Sequence, residues 1–312
     1  MNSLTSALAR GPIVLDGGLG TRLEARGNDV SSALWSAEVL RTHPEEVHAA
    51  HLDFFLAGAR VATTASYQVS YDGYARLGIA QDEVDALLKR SVDVARDARE
   101  TAGLTSENAW VFASVGPYGA SLGDGSEYTG EYGLDTAELQ AWHLRRMQIL
   151  AASTPDALLC ETIPSLAEAR ALSATVRQVT DLATSAERRP PVIMSFTVAE
   201  GALRSGESLA DAAHIAAATP GIIAIGVNCS STSDATTALR AFRDASDLPL
   251  IVYPNSGEVW NAQTRSWAGS AHSLVSYVDE WTALGARLIG GCCRVDTVEL
   301  EQIAGTVSQR RA

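Results

Sequence analysis

Residues 222–229, Ile222-Ile223-Ala224-Ile225-Gly226-Val227-Asn228-Cys229, open a segment that repeats along the chain. Seven of these eight residues are apolar or glycine up to the closing Asn-Cys, if Cys229 is counted as apolar. A continuous run of that kind suits a strand covered on both faces, as in a parallel sheet. Ser233–Ala245 then carries a helical pattern, and a second short apolar run follows at Leu250–Pro254. The segment reads as strand, helix, strand, with polar chemistry collected where the first strand ends.

The same unit recurs outward in both directions. Further runs lie at Ile13–Asp16, Ala59–Thr64, Trp110–Gly116, Ala157–Glu161, Val192–Thr197 and Ala286–Gly291, which makes eight in all. Helical patterns fill the intervals: Asp82–Arg99, Thr136–Ala152, Leu166–Leu182, Leu209–Ala218 and Ser273–Leu284. Thr42-His43-Pro44-Glu45-Glu46 is a helix start, with Pro in the first turn and acids at the positive end of the dipole, and Gly58 marks its stop. Asp296-Thr297-Val298-Glu299 resembles a capping box opening a last helix. The expectation is α/β, one (β/α)₈ TIM barrel domain over residues 1–312. A doubly wound open sheet is the alternative. In a barrel the functional groups gather at the C-terminal ends of the strands.

Composition narrows the partners. The chain has 312 residues, with 24 Lys and Arg against 37 Asp and Glu, a formal net charge of −13. Such a balance offers no basic footprint for nucleic acid. No apolar run reaches the ~18 residues of a membrane span, and residues 1–11 do not read as a signal peptide. With only four cysteines, a reduced cytoplasmic protein is expected, in which clustered cysteines point to metal or catalysis.

Cys229 ends the sixth run, and Cys292 and Cys293 end the eighth. In a barrel those ends are close. Three thiolates suit one Zn²⁺, and three protein ligands leave a fourth position open, as in catalytic zinc. Adjacent strand residues face opposite ways, so both Cys292 and Cys293 can reach one ion only if the strand breaks. Gly290-Gly291 offers the conformational freedom for that break. Buried inert thiols are the alternative. Cys160 is read as packing against the helices, with Glu161 facing the mouth.

Asp16 and Glu161 are acids at strand ends on opposite sides of the ring. They read either as helix caps and loop ion pairs, or as a clamp for an ammonium group, with the Gly17 and Gly18 N–H groups open to a carboxylate. An amino-acid substrate fits the second reading. Trp35, Tyr67, Tyr118 and Phe196 are the aromatic candidates for a cationic substrate, against plain packing at the mouth. Asn255, at the seventh strand end, is a further substrate-binding candidate. The Gly-rich stretch Gly116–Gly133 reads as a lid or a surface loop. His48 and His51, three apart, are read as a solvated helix face, not a metal pair. Gly18-Leu19-Gly20 is no dinucleotide fingerprint, because Leu23 stands where the third Gly belongs.

Taken together, Asp16-Gly17-Gly18-Leu19-Gly20-Thr21, Val115-Gly116-Pro117-Tyr118-Gly119, Glu161-Thr162-Ile163-Pro164, Gly226-Val227-Asn228-Cys229 and Gly290-Gly291-Cys292-Cys293 resemble the homocysteine S-methyltransferases, over residues 12 to 306. The resemblance implies a zinc-dependent (β/α)₈ barrel, with Cys229, Cys292 and Cys293 as the metal ligands and catalytic centre. It implies that Asp16 and Glu161 engage the homocysteine amino group. The chain looks most like the short type using S-methylmethionine and, less efficiently, S-adenosylmethionine; residues 119–132 also look like that branch. Folate and corrinoid modules find no room, and the extension of the betaine-dependent branch is absent after Cys293, which favours a monomer.

The implied reaction moves a methyl group from a sulfonium to the zinc-bound thiolate of L-homocysteine, giving methionine. A free thiol has a pKa of ~8.5 and is mostly protonated at neutrality, so generating the nucleophile is the difficulty. The leaving group is a neutral thioether, which needs no general acid. Betaine-dependent transfer to homocysteine and a non-catalytic zinc or thiol redox sensor are the alternatives.

Overall fold

A computed structural model describes residues 3–31, 34–182, 189–261 and 266–309. Eight parallel strands form its main sheet: β1 (Ile13–Val14), β2 (Val61–Thr63), β3 (Trp110–Val115), β4 (Ala157–Ile163), β5 (Val192–Phe196), β6 (Ile222–Asn228), β7 (Leu250–Tyr253) and β8 (Ala286–Ile289). Their spatial order is 1-8-7-6-5-4-3-2, so each strand neighbours the next in sequence and β1 also pairs with β8. The Arg60 N–H donates to the Val14 carbonyl at 2.8 Å across the remaining seam between β1 and β2. An open doubly wound sheet would instead reverse its strand order at a switch point. The fold is a (β/α)₈ barrel.

The outer ring holds α1 (Pro44–Leu56), α2 (Gln81–Thr101), α3 (Thr136–Ala152), α4 (Leu166–Leu182), α5 (Leu209–Ala217), α6 (Thr232–Ala245), α7 (Val278–Ala283) and α8 (Thr297–Gln309), one after each strand, and further short helices at Leu19–Ala25, Trp35–Thr42 and Tyr71–Ala75 precede α1 and α2. Pro44 occupies the first turn of α1, and Gly58, with φ +102°, follows its end. The α7 helix begins later than its sequence pattern, after a 3₁₀ turn at Val275–Tyr277. At α8, Asp296 caps the Val298 and Glu299 N–H groups. Glu299 does not complete a capping box; its carboxylate accepts from Ser273 and Leu274 instead, tying α8 to the segment before α7. A complete box stands at Asp135 and Glu138, opening α3.

Two-residue alternation divides the sheet's side chains. Ile13, Phe112, Ala157, Leu159, Ile193, Ala224, Ile251 and Leu288 fill the interior of the ring. Leu158, Cys160, Met194, Phe196 and Val227 face the helices. Cys160 is fully buried there, and burial pushes its thiol up to about 12, which suits inert packing. Leu4, Ala7 and Leu8 of an N-terminal helix (Ser3–Arg10) join the interior cluster and close the N-terminal end of the barrel. The sequence patterns did not reveal that helix.

His51 corrects an expectation. It is fully buried, not part of a solvated face, and both ring nitrogens lack a partner among the described residues. The α1 helix packs on α2 as well as on its neighbouring strand, so it is covered on more than one side. His48, half-buried, does reach the surface, where it pairs with Thr101 at 3.2 Å.

Candidate metal centre and active site

A cavity of ≈ 560 Å³ opens at the C-terminal mouth of the barrel. Asp16, Gly17, Gly18, Trp35, Tyr67, Glu161, Cys229, Cys292 and Cys293 all line it, so nine of the twelve residues proposed from sequence share one space. The sulfurs of Cys229, Cys292 and Cys293 lie within 4.8 Å of one another, and Cys292 Sγ is 3.9 Å from Cys293 Sγ.

Local backbone geometry makes that cluster possible. Cys229 follows β6 with φ +48°, a left-handed turn that a Cβ-bearing residue seldom adopts, and the strand's alternation ends there. At the other strand, β8 ends at Ile289, and the chain continues without ladder pairing through Gly290 to Cys293. The Cys292 N–H donates to the Pro254 carbonyl at 2.8 Å, and the Cys293 carbonyl accepts from the Ser256 N–H at 3.1 Å. Neither Gly290 nor Gly291 has a positive φ. Space demands glycine here: a Cβ on Gly291 would lie 2.2 Å from the Val295 side chain, and one on Gly290 would lie 2.7 Å from the Asp16 carbonyl. The expected reason, conformational freedom, is replaced by close approach.

The thiols differ in acidity. Hydrogen bonds from Cys292 and Cys293, with Thr162 and Asn228 assisting, hold the Cys229 thiol well below its ordinary range. Donating to Cys229 and lying in a buried site, Cys292 and Cys293 are pushed up.

Asp16 and Glu161 occupy opposite walls. Asp16 accepts from the Thr63 N–H at 2.6 Å and the Thr63 hydroxyl at 3.0 Å, across the β1–β2 seam. Glu161 accepts from the Ser114 hydroxyl and from Tyr253 Oη at 2.9 Å. Burial outweighs these bonds, raising Asp16 to about 7 and Glu161 to about 8. Behind them, Asn228 Oδ1 accepts from the Thr162 N–H and the Ser195 hydroxyl, each at 2.8 Å, linking β4, β5 and β6.

Four expectations change. Phe196 is fully buried against the helix layer, with its ring 5.8 Å from that of Phe242. Its parity decides this, since Ile193 points inward three positions earlier. Tyr118 does not line the cavity: its N–H donates to Glu168 at 2.6 Å and its ring packs on Tyr132 and Trp142. Asn255 also stays outside the lining, its N–H donating to the Ser230 carbonyl at 3.0 Å. The Gly18 N–H is already given to the Val295 carbonyl at 2.9 Å, so it is not open to a substrate carboxylate.

Other lining residues escaped the sequence reading. Thr63 and Tyr253 stood in the strand-end stretches, where position alone was a signal. Glu127 and Tyr128 come from the Gly-rich loop after β3; the resemblance marks their stretch, but it assigns neither residue a role. The lining holds six carboxyl residues, Asp16, Glu24, Asp29, Glu127, Glu161 and Glu258, against one basic residue, Arg294. Arg294 is engaged by Glu258 at 3.2 Å and Glu24 at 3.5 Å. The lining is therefore rich in carboxyl groups.

Residues 13–307 match the sequence profile of the family described as homocysteine S-methyltransferase. The chain belongs to that family. It is 39% identical over 295 residues to the homocysteine S-methyltransferase of Escherichia coli K12, covering 92% of this chain and 93% of that one. It is 37% identical over 314 residues to homocysteine S-methyltransferase YbgG of Bacillus subtilis 168, covering 97% of each. The crystal structure of the E. coli homocysteine methyltransferase MmuM in its metallated form superposes with a TM-score of 0.84 at 37% identity, over 95% of this chain and 96% of that one. A homocysteine S-methyltransferase is an enzyme that delivers a methyl group to homocysteine, and the chain is of that kind. Among the described residues no helix is long and apolar enough to cross a membrane.

Proposed function

We propose that the chain moves a methyl group from a sulfonium donor, S-methylmethionine first and S-adenosylmethionine second, to the thiol of L-homocysteine, with one zinc ion held by Cys229, Cys292 and Cys293. The observation carrying this reading is the convergence of three sulfurs in an acidic cavity. Tetrahedral zinc with Zn–S near 2.3 Å requires sulfurs about 3.8 Å apart. The 3.9 Å between Cys292 and Cys293 fits that, and far exceeds the ~2.05 Å of a disulfide. An all-sulfur donor set suits a soft, borderline ion such as zinc. When bound, zinc supplies a Lewis acid that lowers the pKa of a thiol taken at its fourth position.

The chain's own residues do the rest. Asp16 and Glu161 receive the homocysteine ammonium group, which restores both carboxylates to the charged form that burial disfavours. Thr63, Ser114 and Tyr253 hold those carboxylates in place. Trp35 and Tyr67 offer ring faces to the donor cation. In the displacement a C–S bond to the acceptor forms as the donor's C–S bond breaks. The donor leaves as a neutral thioether, so no acid is required, and the acceptor thiol's proton passes to solvent. Holding two reactants in line supplies much of the rate. Reducing cytoplasm suits three free thiols, and we read the active unit as a monomeric single barrel whose partners are its small-molecule substrates.

The test is to purify the protein under reducing conditions, measure bound metal, and compare methionine formation from S-methylmethionine, S-adenosylmethionine and betaine. Stoichiometric zinc and turnover with the sulfonium donors are expected. Zinc-free activity, or activity with betaine alone, would overturn the reading.

A further inference from the structure

In Asp16 and Glu161, deep in the cavity, each carboxylate oxygen has a hydrogen-bond donor, whereas one oxygen of Glu127 has none. Asp16 has Thr63, and Glu161 has Ser114 and Tyr253. Glu127 Oε2 is buried and lacks a partner among the described residues, and no other cavity-lining side chain has an orphaned buried polar atom. A buried carboxylate oxygen without a donor is costly, and three things relieve it: a proton, a hydrogen-bond donor or a cation. We propose that Glu127 is the specificity residue that reads the positive charge of the methyl donor, a deepening that rests on the methyl-transfer reading above.

The loop holds Glu127 rigidly. Gly125, with φ +90°, starts the 3₁₀ turn Ser126–Tyr128, and Asp124 accepts from the Ser126 N–H at 3.0 Å. The turn lies so close to Gly119 that a Cβ there would be 2.4 Å from the Glu127 N atom. Glu168, fully buried, accepts from the Tyr118 N–H at 2.6 Å and pairs with His143 at 2.9 Å, anchoring the start of the same loop. Tyr128, the next residue, also lines the cavity, and the Arg204 guanidinium lies 5.4 Å from its ring centroid. A carboxylate fixed by its backbone but unsatisfied at its tip is organised for a ligand, not for the fold.

The chemistry of the donor decides the ligand class. A sulfonium has no N–H or O–H, so it cannot be read by hydrogen bonds at the sulfur; charge and aromatic faces must do it. An ammonium needs acceptors for its N–H groups, and in the reading above the homocysteine ammonium finds them in the paired carboxylates of Asp16 and Glu161. During transfer the sulfonium becomes a neutral thioether, so an anion beside it stabilises bound donor more than the transition state. Glu127 therefore raises donor affinity and selectivity without accelerating the displacement. After transfer its oxygen is again without a counter-charge, which favours release of the thioether.

Binding to wild type and Glu127→Gln is measured by calorimetry with S-methylmethionine and with methionine, its neutral thioether counterpart. Glutamine keeps size and shape, and thermal unfolding of both proteins checks the fold. Wild type should prefer S-methylmethionine, and the variant should bind it about 10- to 100-fold more weakly while holding methionine equally well. In turnover the donor KM should rise similarly, with kcat unchanged or raised and homocysteine KM within about twofold of wild type. Glu127→Asp, which keeps the charge but shortens the reach, should fall between. The inference is overturned if the variant keeps its preference for the sulfonium, or loses both ligands equally, or loses homocysteine instead. If wild type turns over no sulfonium donor yet shows the Glu127-dependent preference, the methyl-transfer reading falls and charge recognition by Glu127 stands.

Discussion

Cys229 shows how much depends on one backbone angle. At φ +48° it leaves the strand's alternation, and its sulfur meets two others that come from a chain segment 63 residues later. Serine at 229 would keep the turn but replace a soft, polarisable thiolate with a hydroxyl of far higher pKa. Cys229→Ser is expected to lose stoichiometric zinc and to lower methionine formation by orders of magnitude. Metal analysis beside an activity assay checks both, and full activity without zinc would refute the site. Glu161→Gln separates substrate binding from metal binding. It keeps the shape that contacts Ser114 and Tyr253 but removes the charge, so homocysteine KM should rise about tenfold or more while zinc is retained. Zinc loss in that variant would mean Glu161 serves the metal instead.

Elements explain the corrections better than residues do. Phe196 and Cys160 stand on strands whose alternation is visible in the sequence, yet only Cys160 was placed by it. Phe196 was read from its nearness to a strand end, and parity overrode nearness. Tyr118 went the other way for a tertiary reason, because buried Glu168 on α4 captures its backbone N–H. The α1 helix carries a testable consequence of burial. His51 is held at about 3, below its ordinary 6.5, because its surroundings disfavour charge. The unfolded chain takes up a proton below about pH 6.5 that the folded chain refuses until about pH 3. Stability is therefore lost as pH falls through that window. Between pH 7 and 5 this group alone should cost about 2 kcal/mol. His51→Phe, which gives up no hydrogen bond, should flatten that limb in urea unfolding at the two pH values. An unchanged acid limb would show that His51 is not its origin.

For the whole molecule, stability and chemistry are assigned to opposite ends of the barrel. The cavity takes its groups from the C-terminal strand ends, while Leu4, Ala7 and Leu8 plug the N-terminal end. Leu4 is fully buried in the interior cluster. Leu4→Ala should cost about 2–5 kcal/mol in urea unfolding, within the range for a buried leucine. Because the plug is remote from the mouth, donor and homocysteine KM should be unchanged at temperatures where the variant stays folded. A selective rise in either KM would show that the two ends are coupled.

The sequence by itself determined the barrel, its eight strand ends and the three sulfurs, because periodicity and motif order are properties of consecutive residues. It also pointed to Asp16 and Glu161, since position at a strand end is legible in one dimension. Only the tertiary structure decided what those groups touch. The pairing of Asp16 with Thr63, the burial of His51, the plug of Ser3–Arg10 and the unsatisfied Glu127 depend on segments far apart in the chain. A contact of that kind leaves no period in either segment, and burial is a sum over neighbours that no single stretch contains.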